Sequence, residues 1–154
     1  MRFDHRNVRL AAAGFASMLT LLGVAAASVA TAGSPVTVDL RGLRDRGGDI
    51  LVALCSSATY KARASCELTQ RFPAARLNGP FILQAPGPGR YALLILHDEN
   101  ANGKLDANLV GMPTEAYGFS NNPSKRPGRP SFAEAAFEVG NEPIRLRIEL
   151  VHWP

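Results

Sequence analysis

The chain carries no recognisable catalytic signature. No nucleophile elbow and no ordered Ser/His/Asp pattern stands anywhere in its 154 residues. It has three histidines and two cysteines, Cys55 and Cys66. Neither cysteine has a close Cys or His partner in sequence, and His152 has no partner spacing, so nothing argues for zinc. Long apolar runs are scarce too. After the first thirty-odd residues none is long enough to span a bilayer. No long amphipathic helix and no internal repeat follow, which turns the reading away from helical bundles and solenoids.

What the first residues hold is an address. Arg2, Arg6 and Arg9 make a positive n-region, residues 10–29 are an Ala- and Leu-rich apolar run, and Ala30-Thr31-Ala32 supplies the small residues of a cleavage site. This predicts a signal peptide over residues 1–32, cleaved after Ala32. The apolar run would also be just long enough for an uncleaved anchor, but its alanines and the A-x-A site favour cleavage. A mature chain of 122 residues (33–154) fits one domain with a single core. Cleavage removes three of the 17 basic and one of the 13 acidic residues, leaving a net charge of about +2. That small excess withdraws support for a nucleic-acid partner. The expected location is periplasmic or secreted, with no stable membrane insertion after cleavage.

Two cysteines in an oxidising compartment most often pair. A Cys55–Cys66 disulfide would close a short loop, worth about 2–3 kcal/mol on the chain-entropy account. Two unpaired thiols are the alternative.

The mature part reads as all-β. Residues 36–40 alternate apolar and polar, as a half-buried strand does. Arg46-Gly47-Gly48-Asp49 signals a turn before a short apolar run at 50–55, expected to be a central strand. Residues 56–73 have weak periodicity with room for one helical turn. Strands are expected at 81–84 and, most strongly, at 90–97, separated by the Pro-stiffened turn Ala85-Pro86-Gly87-Pro88-Gly89. At the C-terminus, 136–139 and 144–151 predict a hairpin turning at Gly140-Asn141-Glu142-Pro143. The last strand alternates strictly, with Arg145, Arg147 and Glu149 on the water side. Short strands with turns between them predict a single antiparallel β-sandwich of about seven strands.

Residues 98–131 resist that pattern, because 34 residues pass with hardly any strand signal. Excursions of that length are uncommon in compact domains and are often functional. At its head stands Asp98-Glu99-Asn100-Ala101-Asn102-Gly103-Lys104-Leu105-Asp106. Counted as a calcium loop, Asp98, Asn100 and Asn102 fall at positions 1, 3 and 5, the Lys104 carbonyl at 7 and Asp106 at 9. Gly103 at 6 permits the sharp bend. Position 12, which needs a bidentate Glu, is Leu109, and a strand rather than a helix precedes the loop, so this is no EF-hand. With two or three carboxylates the affinity would be on the order of 10⁻⁴–10⁻³ M. Asn, Asp and Gly are equally the residues of tight turns, and Asn102-Gly103 alone predicts one. Both readings stand.

Further on, Glu115, Tyr117, Asn121 and Asn122 mix a ring with amide and carboxylate groups, a set suited to sugars or peptides. The same residues could instead pack inward and satisfy loop backbone. His97 beside Asp98 could act as a base if a nucleophile such as Ser120 came near, or could anchor the loop by hydrogen bonding. Lys125-Arg126-Pro127-Gly128-Arg129-Pro130 is basic but reads as a solvated loop.

The run from His97 to Asp106, followed by Gly111-Met112-Pro113-Thr114-Glu115-Ala116-Tyr117-Gly118-Phe119-Ser120-Asn121-Asn122, resembles the DUF2141 family of exported bacterial proteins. So do Gly42-Leu43 with Val52-Ala53-Leu54, the turn-strand Pro88-Gly89-Arg90-Tyr91-Ala92, and Pro130-Ser131-Phe132-Ala135-Phe137. The likeness spans essentially the whole mature chain. It implies an extracytoplasmic β-sandwich, with a Pro-Gly-x-Tyr strand start similar to prealbumin-like domains, and it implies no activity. Cys55 and Cys66 look like an addition beyond the family's pattern.

Three functions follow as expectations. The first is an exported, non-enzymatic binding module whose working face is the 98–131 loop, with calcium as its one candidate cofactor and an extracytoplasmic protein or small ligand as partner. The second is a small hydrolase using His97 with Asp98 or Glu115. The third is an assembly domain that pairs through a strand edge.

Overall fold

A computed structural model describes residues 33–62, 65–123 and 128–153. The expected leader and its cleavage point lie outside the described residues. Eight strands and two short helices follow in the order β1 (Pro35–Arg41), β2 (Asp49–Cys55), α1 (Ser57–Ala62), β3 (Leu68–Pro73), β4 (Phe81–Gln84), β5 (Gly89–Asp98), β6 (Tyr117–Phe119), α2 (Phe132–Ala135), β7 (Ala136–Val139) and β8 (Ile144–Glu149), with a 3-10 turn at Ala74–Arg76 after β3.

The strands form two sheets. One has three strands in the order β4-β1-β8. The other runs β3-β2-β5-β6, with β7 also paired to β5. All pairings are antiparallel except β1 with β8, which run parallel from Val36 opposite Ile144 to Arg41 opposite Glu149. The period-2 pattern explains the shared core. Val36, Val38, Leu83 and Ile148 from the first sheet join Ile50, Val52, Leu54, Leu93 and Ile95 from the second in one buried cluster. Fully burying each such aliphatic side chain stabilises the fold by about 1.5–3 kcal/mol.

The expectation of about seven antiparallel strands in a single sandwich is corrected to eight strands in two sheets, one pairing being parallel. The expected C-terminal hairpin is also corrected. β7 pairs with β5 in the larger sheet and β8 with β1 in the smaller, so residues 140–143 cross between sheets instead of turning back. The Ser34 hydroxyl donates to the Gly140 carbonyl at 2.7 Å and ties that crossing to the start of β1. A β3 strand emerges from 56–73, where periodicity is weak because each of its residues is at least partly exposed. The 98–131 excursion is interrupted by β6, and α2 begins one residue beyond it.

β5 organises the larger sheet. Its first half pairs with β7 and its second half with β6, so two short strands share one edge. Ser120 sits at the junction, fully buried. Its backbone N–H donates to Leu93 O and its hydroxyl oxygen accepts from Leu93 N, both at 2.9 Å, while the hydroxyl donates to Ala135 O. α2 starts on a capping box, with Ser131 and Glu134 bonding each other's backbone N–H.

Candidate functional site

The long excursion leaves β5 at Asp98, whose side chain is fully buried. Its two carboxylate oxygens accept backbone N–H groups from Asn102 at 3.0 Å and Gly103 at 2.7 Å. Ala101 and Gly103 adopt left-handed backbone, φ 59° and 79°, which aims those two amides back at Asp98. A buried carboxylate needs such donors, because bonds to a charged acceptor are each worth about 1.5–3 kcal/mol and an unmet one costs more. Around this centre Asn100 Oδ1 accepts from Asn102 N at 3.1 Å, and Asn102 Oδ1 accepts from Lys104 N at 2.8 Å. Both amide groups then donate to Asp106 Oδ2, from Asn100 at 2.6 Å and from Asn102 at 2.9 Å. The alternating Asp/Asn pattern therefore builds the tight turn, with Asp98, Asn100, Asn102 and Asp106 gathered around it. The candidate contribution of Lys104, its carbonyl, lies on the same turn.

Glu115 closes the excursion from the other side. Its buried carboxylate accepts from Glu99 N at 3.0 Å and Asp106 N at 2.9 Å, stapling both flanks of the turn. Beyond it, Asn108 holds a second turn. Its side-chain oxygen accepts from Val110 N and Met112 N, and its carbonyl from Gly111 N. That turn lifts Leu109 and Val110 into solvent, 106% and 81% exposed.

The structure places His97 as an anchor. Its Nε2 lies 2.9 Å from Gly47 O, and its Nδ1 is buried, 3.8 Å from Glu99 Oε1 and without a hydrogen-bond partner. Ser120 is not brought to it. That hydroxyl faces Leu93, four residues back, or roughly 13 Å along a strand. Asp98 and Glu115, the other two groups of the hydrolase reading, spend their oxygens on loop amides.

The candidate ligand set Glu115, Tyr117, Asn121 and Asn122 divides by role. Asn121 Nδ2 donates to Ala136 O at 2.8 Å. Asn122 spans β8, donating to Arg147 O and accepting from Glu149 N, each at 2.8 Å. Both residues hold positive φ and join the loop to its neighbours. Tyr117 is buried, its hydroxyl accepting from Trp153 Nε1 at 2.7 Å and its ring edge-on to Phe119 at 5.8 Å. Of this set, Tyr117 lines a cavity on the larger sheet.

That cavity is a cleft of about 590 Å³ on the outer face of the larger sheet. Its floor is Leu51, Ala53, Leu94, Leu96 and Phe119, the side chains that alternate away from the main core. The turn residues Leu105 and Pro113 form one rim, and Gly128 and Arg129 the other. Part of the remaining face is covered. There α1 and α2 pack Tyr60, Ala135 and Phe132 against Cys55 and Ala92 in a second apolar cluster. The Cys55–Cys66 disulfide ties β2 to the segment after α1, its Cα atoms 4.5 Å apart. Beside it Glu67 Oε2 accepts from Ser56 N at 2.7 Å and Thr59 Oγ1 at 2.9 Å. Burial raises the Glu67 pKa, but these hydrogen bonds together carry it below its ordinary value. Sequence reasoning missed the cleft. The signal was the unbroken apolar runs at 50–55 and 93–96, which mark strands apolar on both faces without saying what covers each.

A family model described as an uncharacterised protein conserved in bacteria, DUF2141, matches residues 38–147. The chain belongs to the DUF2141 family. The match begins inside β1 and ends inside β8, so the DUF2141 region holds both sheets, the excursion and the cleft. No curated protein and no solved structure matches the chain. Among the described residues no helix is long and apolar enough to cross a membrane, and the disulfide fits an oxidising compartment.

Proposed function

We propose that this DUF2141 protein is an exported binding module that holds a small, largely apolar ligand in the cleft on its larger sheet, with the 98–131 excursion as the rim. The cleft itself carries this reading. Its size falls within the usual range for small-molecule sites, about 300–1,000 Å³. A face of Leu51, Leu94, Leu96 and Phe119 left half-buried on the outside of a sheet is what a bound apolar molecule would finish covering. Support for export comes from the leader-like sequence and the disulfide. Titration with a polarity-sensitive fluorophore tests the cleft: saturable, one-to-one binding is expected in the wild type. Leu96→Glu, which places a charge in the floor, should abolish it while the far-UV circular dichroism stays unchanged. Equal binding by that variant sinks the reading.

Calcium enters as a proposal for the rim. Asn100 and Asn102 converge on one oxygen of Asp106, with Asp98 held on the same turn by Gly103. Among the described residues there is no group of three or more His, Cys, Asp or Glu side chains placed to hold a metal ion, so an ion would draw on amide and carbonyl oxygens as well. It would replace the two amide bonds to Asp106 and tie that carboxylate to Asp98. A thermal melt with millimolar calcium and with chelator decides it: a raised Tm is expected, and an unchanged one removes the ion.

A further inference from the structure

We infer that the ligand of the cleft is an amphipathic monoanion, a small molecule with an apolar body and one carboxylate, seated with its head on Arg129. This rests on the cleft reading above and names its ligand class. Among the described residues the cleft wall carries two formally charged side chains, Arg71 and Arg129, both cationic, and no carboxylate. They differ in what they already hold. Arg71 is half-exposed and places Nη1 3.1 Å from Asp49 Oδ2, so a protein carboxylate answers its charge. Arg129 forms no ion pair among the described residues. Its guanidinium carbon lies 3.8 Å from the centre of the Tyr60 ring, and its Nε is buried without a hydrogen-bond partner.

The cation–π contact holds the guanidinium in place at the cleft wall. A guanidinium presents N–H donors in the fork that matches a carboxylate with two parallel bonds. A cation held against an apolar wall without a counter-charge is costly, and a ligand anion returns what the protein does not supply. From Arg129 the wall continues as Leu94, Leu96 and Phe119, which fit an alkyl or aromatic body and offer no partner for a second charge. One uncompensated cation at the end of an apolar cleft selects one anion with an apolar tail.

The test is isothermal titration of the purified protein with micromolar dodecanoate, dodecanol and dodecyltrimethylammonium. Dodecanoate should bind one-to-one and about tenfold or more tighter than dodecanol, a ratio within reach of one charge-assisted bidentate pair. The cation should bind weakest. Arg129→Gln should bring dodecanoate down to the level of dodecanol, while Arg71→Gln should keep the preference. Equal binding of dodecanoate and dodecanol by the wild type overturns the anion assignment and leaves the cleft reading standing. Binding of neither by the folded protein overturns both. If Arg129→Gln fails to fold, the Tyr60 ring resonances of the wild type decide: a shift with dodecanoate and none with dodecanol is expected, and no shift with either ligand overturns the assignment.

Discussion

Gly48 and Asp98 pack backbone to backbone: a Cβ built on Gly48 would collide with the Asp98 carbonyl oxygen and come within 2.6 Å of Glu99 O. Gly48 also holds φ +63°, where side chains are strained. Its carbonyl accepts from Ala74 N at 3.1 Å, and its neighbour Gly47 receives His97, so the turn cannot simply move aside. Gly48→Ala should therefore cost at least about 3 kcal/mol, since overpacking and left-handed strain add. Urea unfolding measures it, and a loss under about 1 kcal/mol would show that the two loops slide apart freely.

Removing the centre of the excursion should cost nearly as much without any steric clash. Asp98→Ala leaves the Asn102 and Gly103 amides without their acceptor, and the expected loss is about 2–4 kcal/mol. Hydrogen exchange separates this from a global effect. The amides of residues 102, 103 and 104 should exchange far faster, while those of β2 and the first half of β5 keep their protection. Protection that persists at 102 and 103 would mean that Asp98 does not hold the turn.

Much of this was legible in the sequence, for local reasons. Alternation located β1 and β8, apolar runs located β2 and β5, and Asn102-Gly103 located the turn, because each depends on neighbours in the chain. Pairing was not legible. β7 and β8 read as a hairpin since a Gly-Asn-Glu-Pro turn separates them, but tertiary packing sends Ile148 into the core beside β1 and leaves β7 to share the β5 edge with β6. The role of Asn122 was hidden for the same reason: Arg147 O and Glu149 N, which it bridges, lie 25 and 27 residues away. Arg129 read as one charge in a solvated basic stretch, because nothing local shows the Tyr60 ring beneath it.

The disulfide offers a graded test of the helical cover. It closes a short loop, with a sequence separation of 11, and that restraint is worth about 2–3 kcal/mol. Cys55→Ala with Cys66→Ala should lower stability by that amount in denaturant melts and leave the two-sheet core intact. The loss should concentrate at α1, whose start is braced by Glu67, the residue after Cys66. Cleft binding should weaken as well, because Tyr60 on α1 supports Arg129. A double variant with unchanged melts and unchanged binding would make the bridge a bystander.

Tyr60 sets an alkaline limit on the same region. The residue is buried, and its hydroxyl donates to Pro130 O at 2.8 Å. Burial pushes its pKa above the usual tyrosine value, and the hydrogen bond and charge of Arg129 only partly oppose it. A raised folded-state value means that the native state favours the protonated phenol. The stabilisation is complete below the unfolded tyrosine value of about 10 and is lost as pH rises through the higher folded one. Wild-type Tm should thus fall from about pH 10 upward as the phenolate is forced out of the apolar cluster. Tyr60→Phe should start lower at neutral pH, by about 0.5–1.5 kcal/mol for the lost bond to Pro130, and then show a shallower alkaline decline. Parallel Tm–pH curves for the two proteins would show that Tyr60 ionisation is not coupled to folding.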